Sequence, residues 1–315
     1  MEEPINAVAP SLDLTERRIA VAVHVARYHR TSIRASDLAD LLPDPAPRSA
    51  SELGAWLNDH PTYGRLVGEH VVPAGPAAPA EVPAERRARG EQYWAEAQST
   101  WSGSLRSVHP LVACAGVTGS TAYGEPEAGD DTDFLVVTRP GAVWLVLGMI
   151  FLLVRRESSR RRVAPPDRCF NFVIDTRVAE REFSTPRGLL VAREALTTRV
   201  LQGEPSYRRL LAASRWMRSE LPRLFDRWEA SGAPDPMPAR PVPWVLRIAN
   251  AALFPWLAAV LQVQSLVRNR RLRVTGREDR AYRTTTEIGR LAYVSQRFDQ
   301  LALRYAVAEG RETPT

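Results

Sequence analysis

None of the 42 basic residues in this chain is a lysine, so every cationic side chain is a guanidinium. GC-rich codon usage is the bland reading, and the 25 prolines fit it. The chemical consequence is separate: a guanidinium fork engages phosphate oxygens in pairs, which an ammonium cannot do. Cysteine is almost as scarce. Cys114 and Cys169 have no Cys or His partner at close spacing, which argues against a disulfide framework or a zinc site and makes a reducing cytoplasm the expected location. The opening MEEPINAVAP lacks a basic stretch followed by an apolar run, so no signal peptide is expected.

Uninterrupted hydrophobic runs are also short. Ala142 to Val154 covers 13 residues, where a span of about 30 Å needs roughly 20. Val242 to Val267 is long enough, but Arg247, Asn250, Pro255, Gln262 and Gln264 break it. Both are expected to be buried helices, and membrane association is not expected. The Arg-rich flanks RRESSRRR and RNRRLR keep a membrane-peripheral protein as an alternative reading.

What is present is globular in character. A composition of 44% hydrophobic and 25% charged residues excludes wholesale disorder and fibrous repeats. The 315 residues predict two or three structural units. The net charge of +6 favours polyanionic partners without locating a site.

The expected organisation is α/β (α+β). Residues 1–75 read as a winged-helix-like module, with helices from Leu14 to about Leu42, Thr15 as the first cap, and a further helix and wing after Ser51. DNA binding by this module is the less favoured reading, because the stretch from Ser36 to Leu42 is not densely basic. Residues 76–110 supply a Pro- and Ala-rich linker and a charged helix, with Trp94 and Trp101 on its inner side. Residues 111–182 form the α/β core, with strands at 111–118, 133–138 and 169–175. The strand, helix, strand order implies that the last two are parallel neighbours. Residues 183–315 are expected to be all-helical, with Trp216 and Trp256 in the core.

The chemistry is concentrated in VTGSTAYGEPEAGDDTDFLVVT. A strand runs into Gly119 and Ser120, where a small turn lets the backbone approach a phosphate. Asp131 and Asp133 open the next strand two residues apart, so both carboxylates point to one face. Two converged carboxylates repel each other unless a cation neutralises them, and hard oxygen donors suit Mg²⁺, with Mn²⁺ as the alternative. Asp130 is expected to face away. Arg139, and the arginines at 155, 156 and 160–162, are candidates for steering a triphosphate, against the reading of a solvated basic loop. None of the histidines has a catalytic or metal-ligand spacing.

The Gly-Ser turn followed by Asp-x-Asp and an apolar strand resembles the nucleotidyltransferase superfamily with the DNA-polymerase-β type fold. The resemblance places Gly119 and Ser120 at the glycine-serine turn, Gly124 at a glycine that follows it, and Asp131 and Asp133 at the paired metal ligands. The chain is also similar to large bacterial nucleotidyltransferase-domain proteins, through Cys169, Asn171 and Phe172, ARE at 192–194 and SYRRLLAASRWMRSELP. The resemblance implies an NTP substrate, transfer of its NMP to a hydroxyl acceptor (a small molecule, a protein or an RNA end), and release of pyrophosphate. The superfamily commonly carries a third carboxylate on the following strand. Here Asn171 stands at that place, and Asp175 lies four residues on, roughly 13 Å further along at about 3.3 Å per residue. A nucleotide-binding regulatory protein without turnover is therefore the alternative expectation.

Overall fold

The computed structural model describes residues 13–28, 31–43, 47, 49–75, 83–124, 126–158, 168–234, 240–276, 278 and 281–308. Most of the linker expected after Gly75, and the arginines at 160–162, lie outside these residues.

The N-terminal unit runs α1 (Leu14–Tyr28), β1 (Ile33–Arg34), α2 (Ala35–Asp40), α3 (Ala50–Asp59), β2 (Gly64–Val67) and β3 (His70–Pro73). Its three strands form an antiparallel sheet in the order β1-β3-β2. The first helix starts earlier than expected. Asp13, not Thr15, is its cap, with Oδ1 accepting from the Glu16 N–H at 2.7 Å. Ser49 plays the same part for α3 by accepting from the Glu52 N–H.

After α4 (Pro83–Ser102) comes a six-stranded mixed sheet in the order β7-β4-β5-β6-β9-β8. Its centre is β4 (Val112–Thr118) antiparallel to β5 (Thr132–Thr138), and β5 parallel to β6 (Arg168–Asp175) across the helix α6 (Val143–Ser158). A short helix, α5 (Gly119–Tyr123), follows β4. The parallel neighbour pair is thus as expected.

The all-helical expectation for residues 183–315 needs correction. Helices α7 (Thr176–Ser184), α8 (Leu189–Thr197), α9 (Glu204–Ala212), α10 (Trp216–Glu220), α11 (Pro222–Ala230), α12 (Trp244–Val274) and α13 (Gln296–Ala308) are joined by three strands. These are β7 (Arg199–Gln202), β8 (Tyr282–Glu287) and β9 (Arg290–Ser295). β7 is four half-buried residues at the sheet edge, and β8 is a threonine-rich strand with no fully buried residue. Neither shows the apolar alternation that marks a strand in sequence.

Side chains of β5 alternate between two cores, as period two requires. Leu135 and Val137 enter a core shared by the N-terminal unit, the helices α7 to α11 and α13. Phe134 and Val136 enter the other, shared by α4, α6 and α12. Core residues from Ile19 to Tyr305 belong to the first cluster, so the boundaries expected at 75 and 183 do not divide it.

Of the two apolar runs, α6 is buried as expected over its first half, with Trp144, Val146, Leu147 and Ile150 at 0% exposure, while Phe151 and Leu152 are exposed. The expectation for α12 is corrected: only one side packs inward, and Trp256 is 65% exposed rather than in the core. The inward side is fixed by polar contacts. Asn250 Oδ1 accepts from the Trp144 and Leu145 N–H groups, two donors of the first turn of α6 that have no partner within the helix. Further along, Gln262 donates to Thr284 O and Asn269 pairs with Tyr282. Hydropathy alone cannot distinguish a helix buried all round from one that leaves an apolar side open.

Candidate active site

β4 and β5 pair so that Thr118 lies opposite Asp133. The chain leaves β4 directly through Gly119, whose φ of +68° is left-handed. A Cβ there would stand 2.7 Å from Asp133 Oδ2. Glycine is therefore required twice, by its backbone angle and by its closeness to a carboxylate. Gly124, at φ +77°, ends α5 as its left-handed cap, and this accounts for it without a ligand.

Asp131 and Asp133 converge. One carboxylate oxygen from each, with the sulfur of Cys169, lies within 4.8 Å of the other two. Cys169 stands beside Asp133 in the parallel register of β5 and β6. Asn171, two residues on, donates from Nδ2 to Asp133 Oδ1 and accepts from the Cys169 thiol. Sequence reasoning placed Asn171 here but missed Cys169 as a site residue. Its only signal was the parallel pairing itself, which sets the start of β6 beside Asp133.

The charges are crowded. Burial holds the Asp133 carboxyl well above the usual carboxylate range, and the neighbouring Asp131 and Glu194 push it further. Asp131 is also raised, by burial and by Asp130, while Arg268 and Cys169 pull it back. Burial keeps the Cys169 thiol protonated, with Asp133 and Asp131 acting in the same direction. Asp130 is tied into its loop by the Glu127 N–H, yet it lines the same cavity rather than facing away.

A third carboxylate does reach the site, from α8 rather than from β6. Glu194 accepts from the Gly119 N–H at 3.1 Å through one oxygen and from the Tyr123 hydroxyl through the other. Burial raises its pKa, against the Tyr123 hydrogen bond and Arg193. Arg193 stacks 4.3 Å over the Tyr123 ring.

Two candidates lie elsewhere. Asp175 sits at the far end of β6, opposite Thr138, and its carboxylate caps α7 by accepting from the Arg177 and Val178 N–H groups. Arg139 follows the far end of β5 and donates to the carbonyls of Arg240 and Pro241. It is six residues beyond Asp133, about 20 Å along an extended strand. Both are structural: a strand carries successive residues away from the site, however close they are in sequence.

A cavity of about 400 Å³ opens over the carboxylates. Gly119, Ser120, Asp131 and Asp133 form its floor, α8 and α13 its sides, and Ser32 to Arg34 of the N-terminal unit its roof. The α/β unit, the helices that follow it and the N-terminal unit thus all contribute walls to the cavity. Four arginines line it, Arg34, Arg86, Arg193 and Arg297. Arg34 reaches the Tyr123 carbonyl at 3.4 Å and pairs with Asp37. Among the described residues, the buried Ser32 hydroxyl there has no hydrogen-bond partner.

No protein-family model, curated protein or solved structure matches this chain. The chemistry of the site rests on its own residues. Two hard carboxylate oxygens and a protonated thiol suit a small, hard divalent cation better than a thiolate-seeking one.

Proposed function

We propose that this protein is a Mg²⁺-dependent nucleotidyltransferase, with Mn²⁺ as the alternative metal. The observation that carries the reading is the convergence of Asp131 and Asp133 against the Gly119 turn, in a cavity that four arginines also line. Asp131 and Asp133 would hold the metal, since burial raises both carboxyls, neighbouring carboxylates add to it, and a bound cation would offset both effects. Bound there, Mg²⁺ would supply charge neutralisation at the phosphates and orientation of the reacting oxygens. The Ser120 hydroxyl offers a donor to a phosphate oxygen from beside the carboxylates. Arg34, Arg86, Arg193 and Arg297, among the lining residues, offer guanidinium groups to a triphosphate. Asn171 holds one oxygen of Asp133, and Glu194 holds the backbone of Gly119, so both are positioning residues. In the overall reaction the acceptor's hydroxyl oxygen bonds to the α-phosphorus, the bridge to the β-phosphate breaks, and pyrophosphate leaves. The acceptor class is a small molecule, a protein side chain or an RNA end.

The order helix, strand, helix, helix, strand, strand in residues 14–73 supports the winged-helix reading of the N-terminal unit. Its α3 carries Glu52 and Asp59 and no arginine, which favours a structural role over DNA binding.

A second reading, nucleotide binding without turnover, is favoured by two observations. Asn171 takes the place of an acid beside Asp133, and the Gly119 N–H is already occupied by Glu194.

The test is incubation of the purified chain with each labelled NTP, Mg²⁺ and cell extract. Pyrophosphate and a labelled product should appear, and Asp133→Ala should abolish both. Tight NTP binding without product under every acceptor mixture would select the second reading. Absence of both NTP and divalent-cation binding in calorimetry would rule out both readings.

A further inference from the structure

We propose that the outer side of α12 docks on an anionic membrane surface, with the helix lying in the interface rather than crossing it. The side turned away from the sheet is apolar for six helical turns. Trp244, Ile248, Trp256, Val263 and Leu266 are 69%, 59%, 65%, 58% and 68% exposed, at spacings that keep them on one stripe. Leu152, on the neighbouring α6, adds another apolar side chain at 72% exposure. From Ile248 to Leu266 the stripe runs about 27 Å at 1.5 Å per residue. Soluble monomers rarely leave a contiguous apolar surface of this extent uncovered.

Charge complementarity decides what covers it. The 31 residues of α12 contain no Asp or Glu, and the stripe continues directly into the exposed Arg270, Arg271 and Arg273. A second copy packing helix against helix would bring those arginines no carboxylate from the same helix. A layer of lipid phosphates would meet them, while the exposed tryptophans would sit at headgroup depth. Spanning is disfavoured by the other side of the helix. Asn250, Gln262, Ser265 and Asn269 bond to α6 and β8, and those contacts hold α12 flat along the α/β unit. α12 packs into the core opposite the one beneath the cavity, so docking leaves the cavity facing away from the lipid.

The experiment is flotation of the full chain with vesicles of phosphatidylcholine alone and of phosphatidylcholine mixed with phosphatidylglycerol. The protein should float with the mixed vesicles and much less with the neutral ones. Its tryptophan emission should shift to the blue, because Trp244 and Trp256 are the only exposed tryptophans of the eight. Trp256→Glu and Leu266→Glu, both on the exposed stripe, should leave the melting temperature unchanged and reduce flotation at least tenfold. Arg270→Glu with Arg273→Glu should weaken binding to the anionic vesicles by about fivefold or more per arginine. No flotation at low salt, or equal flotation of the wild type and Trp256→Glu, would overturn the proposal. So would a dimer in light scattering that Trp256→Glu dissociates while neither form floats, which would assign the stripe to a second copy.

Discussion

At Gly119 a single methyl group separates two demands on one atom. Its φ of +68° costs a non-glycine residue about 1 kcal/mol or more, and the new Cβ would press on Asp133 Oδ2 at 2.7 Å. Gly119→Ala should therefore fold with a modest loss of stability but displace Asp133. Divalent-cation binding, read by calorimetry, should weaken at least tenfold. Unchanged cation binding would separate Gly119 from the proposed metal site. The same group of side chains makes stability depend on pH. Burial raises the Asp131, Asp133 and Glu194 carboxyls above their unfolded values of about 4, and neighbouring carboxylates push Asp133 and Asp131 further. Between those values the folded state binds more protons than the unfolded one, so stability is present at low pH and is lost as pH rises through the raised values. The cation-free protein should melt at lower temperature at pH 8 than at pH 5.5 on account of these groups. Mg²⁺ should raise the melting temperature more at the higher pH. Asp133→Asn keeps an oxygen for Asn171, so it should flatten the cation-free slope and remove the Mg²⁺ effect. A slope identical to wild type would contradict the assigned crowding. The sequence made Gly119, Asp131 and Asp133 legible because a turn and a period-two strand are local rules. Glu194 was not legible as a site residue, because α8 delivers it from 75 residues away to a backbone N–H that carries no signature of its own.

At the scale of elements, β6 shows why position along a strand matters more than position in sequence. Asp175 and Asn171 are four residues apart, yet one closes α7 and the other holds Asp133. Asp175→Ala should cost about 1 kcal/mol in urea unfolding, the usual value of a lost N-cap. It should leave cation binding and any pyrophosphate release unchanged. A large loss of activity at unchanged stability would return Asp175 to the catalytic set. The β5-α6-β6 crossover could be read from the sequence because apolar strands flanked an apolar helix. The β8-β9 hairpin could not, because β8 is threonine-rich with no fully buried residue, and β9 joins the sheet by backbone pairing with β6. α12 was misjudged for a related reason. Its apolar residues fall on more than one side, and only the placement of Asn250, Gln262, Ser265 and Asn269 reveals which side faces the protein.

At the scale of the whole molecule, the N-terminal unit is part of the core rather than an appendage. Ile19, Leu38, Leu53 and Val71 share one hydrophobic cluster with Leu190, Leu210, Phe225 and Tyr305. Arg18 pins the junction: it is 4% exposed and donates from Nη1 to the carbonyls of Leu41 and Glu220, while Nη2 lies 4.0 Å from the Glu220 carboxylate. Replacing Arg18 by alanine leaves the buried Glu220 without that countercharge and uncouples two carbonyls, a change of about 3–5 kcal/mol. That is a large share of a typical stability of about 5–15 kcal/mol. If the core is continuous, the loss must appear in the unfolding of the entire chain. Circular dichroism and tryptophan fluorescence should then report one coincident transition, moved to lower temperature in Arg18→Ala. The alternative, a loosely attached module, predicts an early transition confined to residues 13–75 and a later one that Arg18→Ala does not move. Because Ser32 to Arg34 roof the cavity over Asp131 and Asp133, the two outcomes also differ at the site. A continuous core requires that the proposed cation binding and the fold fail at the same temperature, whereas a detachable module would open the cavity while the carboxylate pair could still bind a cation.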